Sequence, residues 1–179
     1  LISGETKCDA GIVYSGMKTV LSFVALGVIL ALMPGGSAFA QVEKMYYKEI
    51  AKELHKPGDK IKVVNLWATW CKPCVAELPY FDAYAQAHAD EIEMVLVSLD
   101  FPADQDSRLP AFLEKKGIKS RVIAVRDTDP NDWIPLVNPG WQGAIPATYI
   151  VDKKGKIVAF HSASLQEKEL DELVKKHLN

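Results

Sequence analysis

The apolar residues of this chain change period along its length. Over 61–68, 92–99, 121–125 and 147–151 they form short runs rich in Val and Ile, fit for buried strands. Lys156 to Phe160 follows the last of these after Asp152-Lys153-Lys154-Gly155, and the two runs read as a hairpin. Elsewhere the period lengthens to three and four. Val42, Met45, Tyr46, Ile50 and Leu54 predict an amphipathic helix over 42–55, ended by Pro57-Gly58. Directly after the first strand, Cys71, Cys74, Leu78, Phe81 and Ala85 share one stripe of a second helix, with Asp82, Gln86 and Asp90 turned elsewhere. Leu109, Phe112 and Leu113 belong to a third, for which Asp106 and Ser107 are candidate caps and Gly117 the stop. Between Asp127 and Asn138 lies a polar, proline-bearing connection with room for a turn of helix around Trp133. Leu170, Leu173, Val174 and Leu178 place a final helix over 166–178. Strands and helices thus alternate first, and a hairpin with a terminal helix comes last. That is an α/β pattern.

The first forty residues follow a different logic. Met17-Lys18-Thr19 leads into an apolar stretch from Val20 to Met33, then Pro34-Gly35-Gly36, then Ala38-Phe39-Ala40. A basic start, a short greasy segment, a break and small residues around a cleavage point describe a secretory signal over 17–40. The apolar stretch falls short of the roughly 20 residues that span a bilayer, so cleavage after Ala40 is expected rather than a stable anchor. Residues 1–16 read as an upstream extension. The domain is expected over 41–179, in the periplasm or another extracytoplasmic space. With 179 residues and 49% hydrophobic residues, the chain has material for one core. Its net charge of -2 comes without a basic stripe, so nucleic acid is not an expected partner.

Removal of the leader and of Cys8 would leave two cysteines, Cys71 and Cys74, within Trp70-Cys71-Lys72-Pro73-Cys74. Thiol–disulfide exchange requires an attacking thiolate and a second thiol to resolve the mixed disulfide. Two cysteines three apart at a helix start supply both, and the helix N-terminus favours negative charge on the first sulfur. An oxidising compartment would lock an idle pair, so a pair kept alone is there to cycle. Lys72 could favour the thiolate by folding back, or could be a solvated lysine. Pro73 suits the first helical turn, where its missing N–H costs nothing.

The stretch Val63-Val64-Asn65-Leu66-Trp67-Ala68-Thr69-Trp70-Cys71-Lys72-Pro73-Cys74, followed by Glu77-Leu78-Pro79, resembles the thioredoxin superfamily, and within it the exported TlpA-like and ResA-like thiol–disulfide oxidoreductases. The resemblance implies a thioredoxin-like fold, a central mixed β-sheet flanked by helices, here with an extra N-terminal helix. It makes Cys71 the exposed nucleophile and Cys74 the buried resolving thiol. The Cys71–Cys74 disulfide is then itself the redox group, with no other cofactor. Ile145-Pro146-Ala147-Thr148 is similar to the superfamily's cis-proline loop, which would offer the Ile145 backbone to an extended substrate beside Cys71; an ordinary trans proline is the alternative. Trp70 would flank the nucleophile. Trp141 would line the substrate groove or simply pack, and Trp67 belongs to the core.

One departure stands out. Thioredoxin carries a buried aspartate six residues before its first cysteine, where this chain has Asn65. Glu77 matches instead a buried acid of the ResA-like group, and shares a helix face with Cys74, so a desolvated carboxylate there could exchange protons with the thiol. Otherwise it is an exposed first-turn glutamate favoured by the helix dipole.

By that resemblance the partners are protein thiols and disulfides, with a membrane thiol donor keeping the pair reduced, as in cytochrome c maturation or disulfide repair. A thiol oxidase is the reverse reading. A copper chaperone using the same pair would need a third soft ligand. His55, His88, His161 and His177 are scattered, so no metal site is expected, and Asp127, Asp129 and Asp132 lack the glycine and glutamate of a calcium loop. A peroxidase of the same fold would want a Pro-x-x-x-Thr-x-x-Cys pattern, which does not precede the helix.

Overall fold

A computed structural model describes residues 41–178; the predicted leader, the upstream extension and Cys8 lie outside them. Six strands form one sheet: β1 (Val42–Met45), β2 (Ile61–Trp67), β3 (Ile92–Ser98), β4 (Arg121–Val125), β5 (Ala147–Val151) and β6 (Ile157–His161). Their order is β1-β4-β3-β2-β5-β6. The β1, β4, β3 and β2 neighbours run parallel, while β5 and β6 add antiparallel. The helices are α1 (Tyr47–Leu54), α2 (Lys72–Ala87), α3 (Arg108–Lys116), the single turn α4 (Ile134–Val137) and α5 (Glu167–Lys175).

The central strand β2 is buried at every position, which is why it reads as a continuous apolar run rather than an alternation. Alternate residues still serve different layers. Ile61, Val63 and Trp67 meet Leu78, Phe81, Leu109 and Leu170 in one core, and Val64 and Leu66 meet Ile50, Leu54, Trp133 and Tyr149 in the other.

The helix predicted over 42–55 divides in two. Val42 to Met45 instead forms an edge strand, pairing in parallel with Val122 to Val125. Helical and extended spacing place Val42 and Met45 equally well, and the open edge of β4 decides between them. The helix starts at Tyr47, where the Glu49 carboxylate accepts the Tyr46 backbone N–H at 3.2 Å. Asp106 and Ser107 do not cap α3 with their side chains: Asp106 pairs with Lys44, and Ser107 makes no capping bond. Gly117 does end that helix, in the left-handed conformation at φ 68°.

Asp82, off the apolar stripe of α2, still lies in the interior. Its Oδ1 accepts the backbone N–H groups of Lys119 and Ser120 and the Ser120 hydroxyl at 2.7–3.0 Å, tying α2 to the entry of β4. Asp127 accepts the N–H of Tyr47 at the start of α1, and Asp129 serves its own turn by accepting that of Asn131.

Candidate active site

Strand β2 ends against a tight turn in which the Cys71 N–H donates to the Ala68 carbonyl at 3.1 Å. Cys71 is the N-cap of α2, and the Cys74 N–H points at its Sγ, 3.3 Å away. A backbone donor at a helix N-terminus thus meets the first sulfur, the arrangement that stabilises a thiolate there. Sγ of Cys71 and Sγ of Cys74 are joined as a disulfide, with Cα atoms 5.3 Å apart. Cys71 is 6% exposed and Cys74 0%. Cys71 is therefore less open than the resemblance implies, although it remains the more accessible of the two. Pro73 lies in the first turn of α2, and Lys72 is exposed without a hydrogen bond or ion pair among the described residues. The solvated lysine is the arrangement observed.

The loop before β5 closes the other side. Its Ile145–Pro146 peptide is cis, and the Ile145 carbonyl oxygen lies 3.8 Å from Cys71 Sγ. Trp70 is half exposed and stacks on the exposed Phe101, ring centroids 6.2 Å apart. These rings border an open, mostly apolar cavity of about 480 Å³, whose walls include Leu99, Trp133, Ile134 and Ile145. Trp141 does not line it. That ring is 4% exposed, packs against Trp133 and Phe160, and donates its indole N–H to the Ala144 carbonyl, bracing the proline loop from behind.

Behind the cysteines sits Glu77, 1% exposed rather than a surface glutamate. Asn65 donates its amide to Oε1 at 2.8 Å; the Ser164 hydroxyl and the Leu165 N–H donate to Oε2 at 3.1 and 3.2 Å. Burial raises this carboxyl above its ordinary value, against the opposing pull of those three donors. The departure at Asn65 is thus explained locally. An aspartate there would face the Glu77 carboxylate, whereas the asparagine donates to it and to Thr148 Oγ1 at 3.1 Å.

The structure brings Cys71, Cys74, Glu77, Trp70, Ile145 and Pro146 to one end of the sheet. Two participants were not read from the sequence as site residues. Phe101 extends the aromatic face, and Asp100 fixes the turn before Cys71 by accepting the Thr69 N–H at 3.1 Å. Asp100 and Phe101 lie two and three residues past the C-terminal end of the parallel strand β3, the end where sites gather in α/β sheets; that position was the available signal.

Fold and site together define a class, the thioredoxin-fold proteins of the thiol–disulfide oxidoreductase type. More narrowly, the chain belongs to the AhpC/TSA family, which matches residues 40–160. It is 27% identical over 115 residues to the thioredoxin-like protein YneN of Bacillus subtilis, covering 64% of this chain and 63% of that one. It is 24% identical over 177 residues to the thiol–disulfide oxidoreductase ResA of Bacillus cereus, covering 83% of this chain and 92% of the relative. Among solved structures, a thioredoxin-family thiol:disulfide interchange protein from Chlorobium tepidum superposes with a TM-score of 0.57 at 21% identity, covering 72% of this chain and 85% of that one. StoA from Bacillus subtilis gives 0.53 at 21% identity, over 64% and 81%. At these identities the superpositions establish the fold.

Proposed function

We propose that this chain is an exported thiol–disulfide oxidoreductase in which Cys71 and Cys74 reduce disulfides of protein substrates, in the manner of cytochrome c maturation or disulfide repair. The observation that carries the reading is the cysteine pair at the start of α2, its first sulfur facing a helix N–H on one side and the Ile145 carbonyl on the other. In the reduced protein the Cys71 thiolate attacks one sulfur of a substrate disulfide, and the other substrate sulfur leaves as a thiolate that takes up a proton. Cys74, giving its proton to Glu77, then attacks Cys71 Sγ and displaces the second substrate sulfur as a thiolate, which takes up a proton from solvent. Two electrons pass to the substrate, and the Cys71–Cys74 disulfide remains. A membrane thiol donor restores the dithiol, so the pair needs no other cofactor. An extended substrate strand lies along Ile145 with its apolar side chains toward Trp70 and Phe101. The reducing direction follows the ResA-like resemblance.

Thiol trapping across defined redox buffers tests the proposal, with Cys71→Ser and Cys74→Ser as controls. The expected result is one two-electron transition that needs both cysteines, together with turnover of a disulfide-bonded protein by the reduced form. Retention of a soft metal without reversible oxidation would overturn it, as would a potential that lets the protein only oxidise its substrates.

A further inference from the structure

We propose that Asp100 is a positioning residue for the exchange reaction, one whose buried carboxylate fixes the turn presenting Cys71 and sets a negative charge beside it that favours the disulfide over the thiolate. The inference rests on the reading of Cys71–Cys74 as the exchanging pair. In the turn from Ala68 to Cys71, Thr69 is the first corner residue. Both of its donors go to Asp100: its N–H lies 3.1 Å from each carboxylate oxygen, and its hydroxyl donates to Oδ1. A third donor, the Ser98 hydroxyl, reaches Oδ2 at 2.8 Å.

The backbone of the residue carrying the carboxylate is tied down at both ends. The Asp100 N–H donates to Ser98 Oγ at 3.1 Å, and its carbonyl accepts the Gln105 amide at 2.9 Å; the same amide also reaches the Val125 carbonyl at 2.7 Å. Asp100 is 2% exposed. The Thr69 N–H can only donate, and both hydroxyls are placed to donate to the carboxylate as well. Among the described residues no Lys, Arg or His forms an ion pair with it. Its charge is therefore answered by dipoles alone.

Only Trp70 separates Thr69 from Cys71, so this charge opposes the helix N-terminus at the sulfur. The helix end stabilises a thiolate and makes a disulfide more oxidising; a nearby fixed anion does the reverse. Asp100 thereby holds the pair toward its reducing end, and keeps Trp70 and Cys71 in register with Ile145 while doing so.

Asp100→Asn keeps an oxygen for the Thr69 N–H and an amide that Ser98 Oγ or Thr69 Oγ1 can accept, and it removes the charge. At about pH 9, where a thiolate dominates an ordinary reduced cysteine, its equilibrium constant for disulfide formation with glutathione is expected to fall about 3- to 10-fold. Alkylation of Cys71 at neutral pH should quicken in parallel. Thr69→Val keeps the charge but deletes one dipole that offsets it, so the constant should rise; this variant decides if D100N does not fold. A folded D100N protein with the wild-type constant overturns the proposal even if its exchange is slower, since slower exchange is all that a structural brace would produce. Cys71→Ser separates the two readings: exchange that survives it defeats the proposed function, whereas its loss alongside an unmoved D100N constant defeats the role of Asp100.

Discussion

Replacing Glu77 by Gln removes a charge from the interior while keeping the shape of the side chain. The three groups around it all donate: Asn65 Nδ2 to Oε1, and Ser164 Oγ and the Leu165 N–H to Oε2. Gln offers one oxygen and one NH2 group, so one of these donors would lose its acceptor, at about 1–3 kcal/mol. Two effects offset that cost. The buried negative charge is gone, and Asn65 can turn its amide over, because its Oδ1 has no partner among the described residues and can accept from the new NH2 group. The net change at neutral pH should stay within about 1 kcal/mol, too little to unfold a typical domain.

The dependence on pH changes more. Folding lifts the Glu77 carboxyl, so the folded state holds the extra proton. Its contribution to stability is full below the unfolded value and is lost as pH rises through the raised folded one. E77Q should flatten that decline. Exchange should suffer separately, because a general base lost from the Cys74 step costs about 100-fold or more. Stopped-flow reaction of the reduced protein with a disulfide peptide, run from about pH 5 to 9 beside denaturant titrations, reads both effects. Wild-type rates and a wild-type pH profile in a folded E77Q protein would refute the proton-transfer role. A parallel stability–pH curve would refute the raised carboxyl.

Trp70→Ala should slow reaction with extended peptide disulfides about tenfold and leave a small disulfide such as oxidised glutathione unaffected, because the half-exposed ring and its stack on Phe101 border the apolar cavity rather than the sulfur chemistry. Asp82→Ala should cost about 2–4 kcal/mol in urea unfolding, since it strands two backbone N–H groups and the Ser120 hydroxyl. Tyr47→Phe should cost about 1–2 kcal/mol by leaving the buried Tyr149 hydroxyl without its 2.9 Å partner. In the wild type, burial pushes Tyr47 up to about 12, so the folded state keeps its phenol proton and stability from this group is lost as pH rises from about 10 through 12, visible by tyrosinate absorbance. Gly155→Ala should destabilise by about 2 kcal/mol or more by thermal melt, because φ is 81° and a Cβ there would run into the His55 carbonyl.

Sequence alone determined much of this protein. The period of its apolar residues located five of the six strands and the helix behind Cys71, because a buried strand and an amphipathic helix leave different spacings in any chain that folds on one core. The Trp-Cys-Lys-Pro-Cys run pointed to thiol chemistry by its spacing at a helix start, and the Ile-Pro before β5 did so only through its resemblance to the superfamily's proline loop. Tertiary structure decided what spacing leaves open. Val42 and Met45 fit a helix as well as a strand until the edge of β4 claims them. Trp141 fits groove or core until its indole N–H is seen on the Ala144 carbonyl. Asp82 reads only as a residue off the apolar stripe, Asp100 carries no local signal of its role, and Glu77 is an acid with two possible surroundings. Each also takes a donor from far along the chain: Thr69 for Asp100, Ser120 for Asp82 and Leu165 for Glu77, 31, 38 and 88 positions away. A carboxylate's burial and its donors are set by which segments the fold brings around it, and no local pattern in the sequence encodes that meeting.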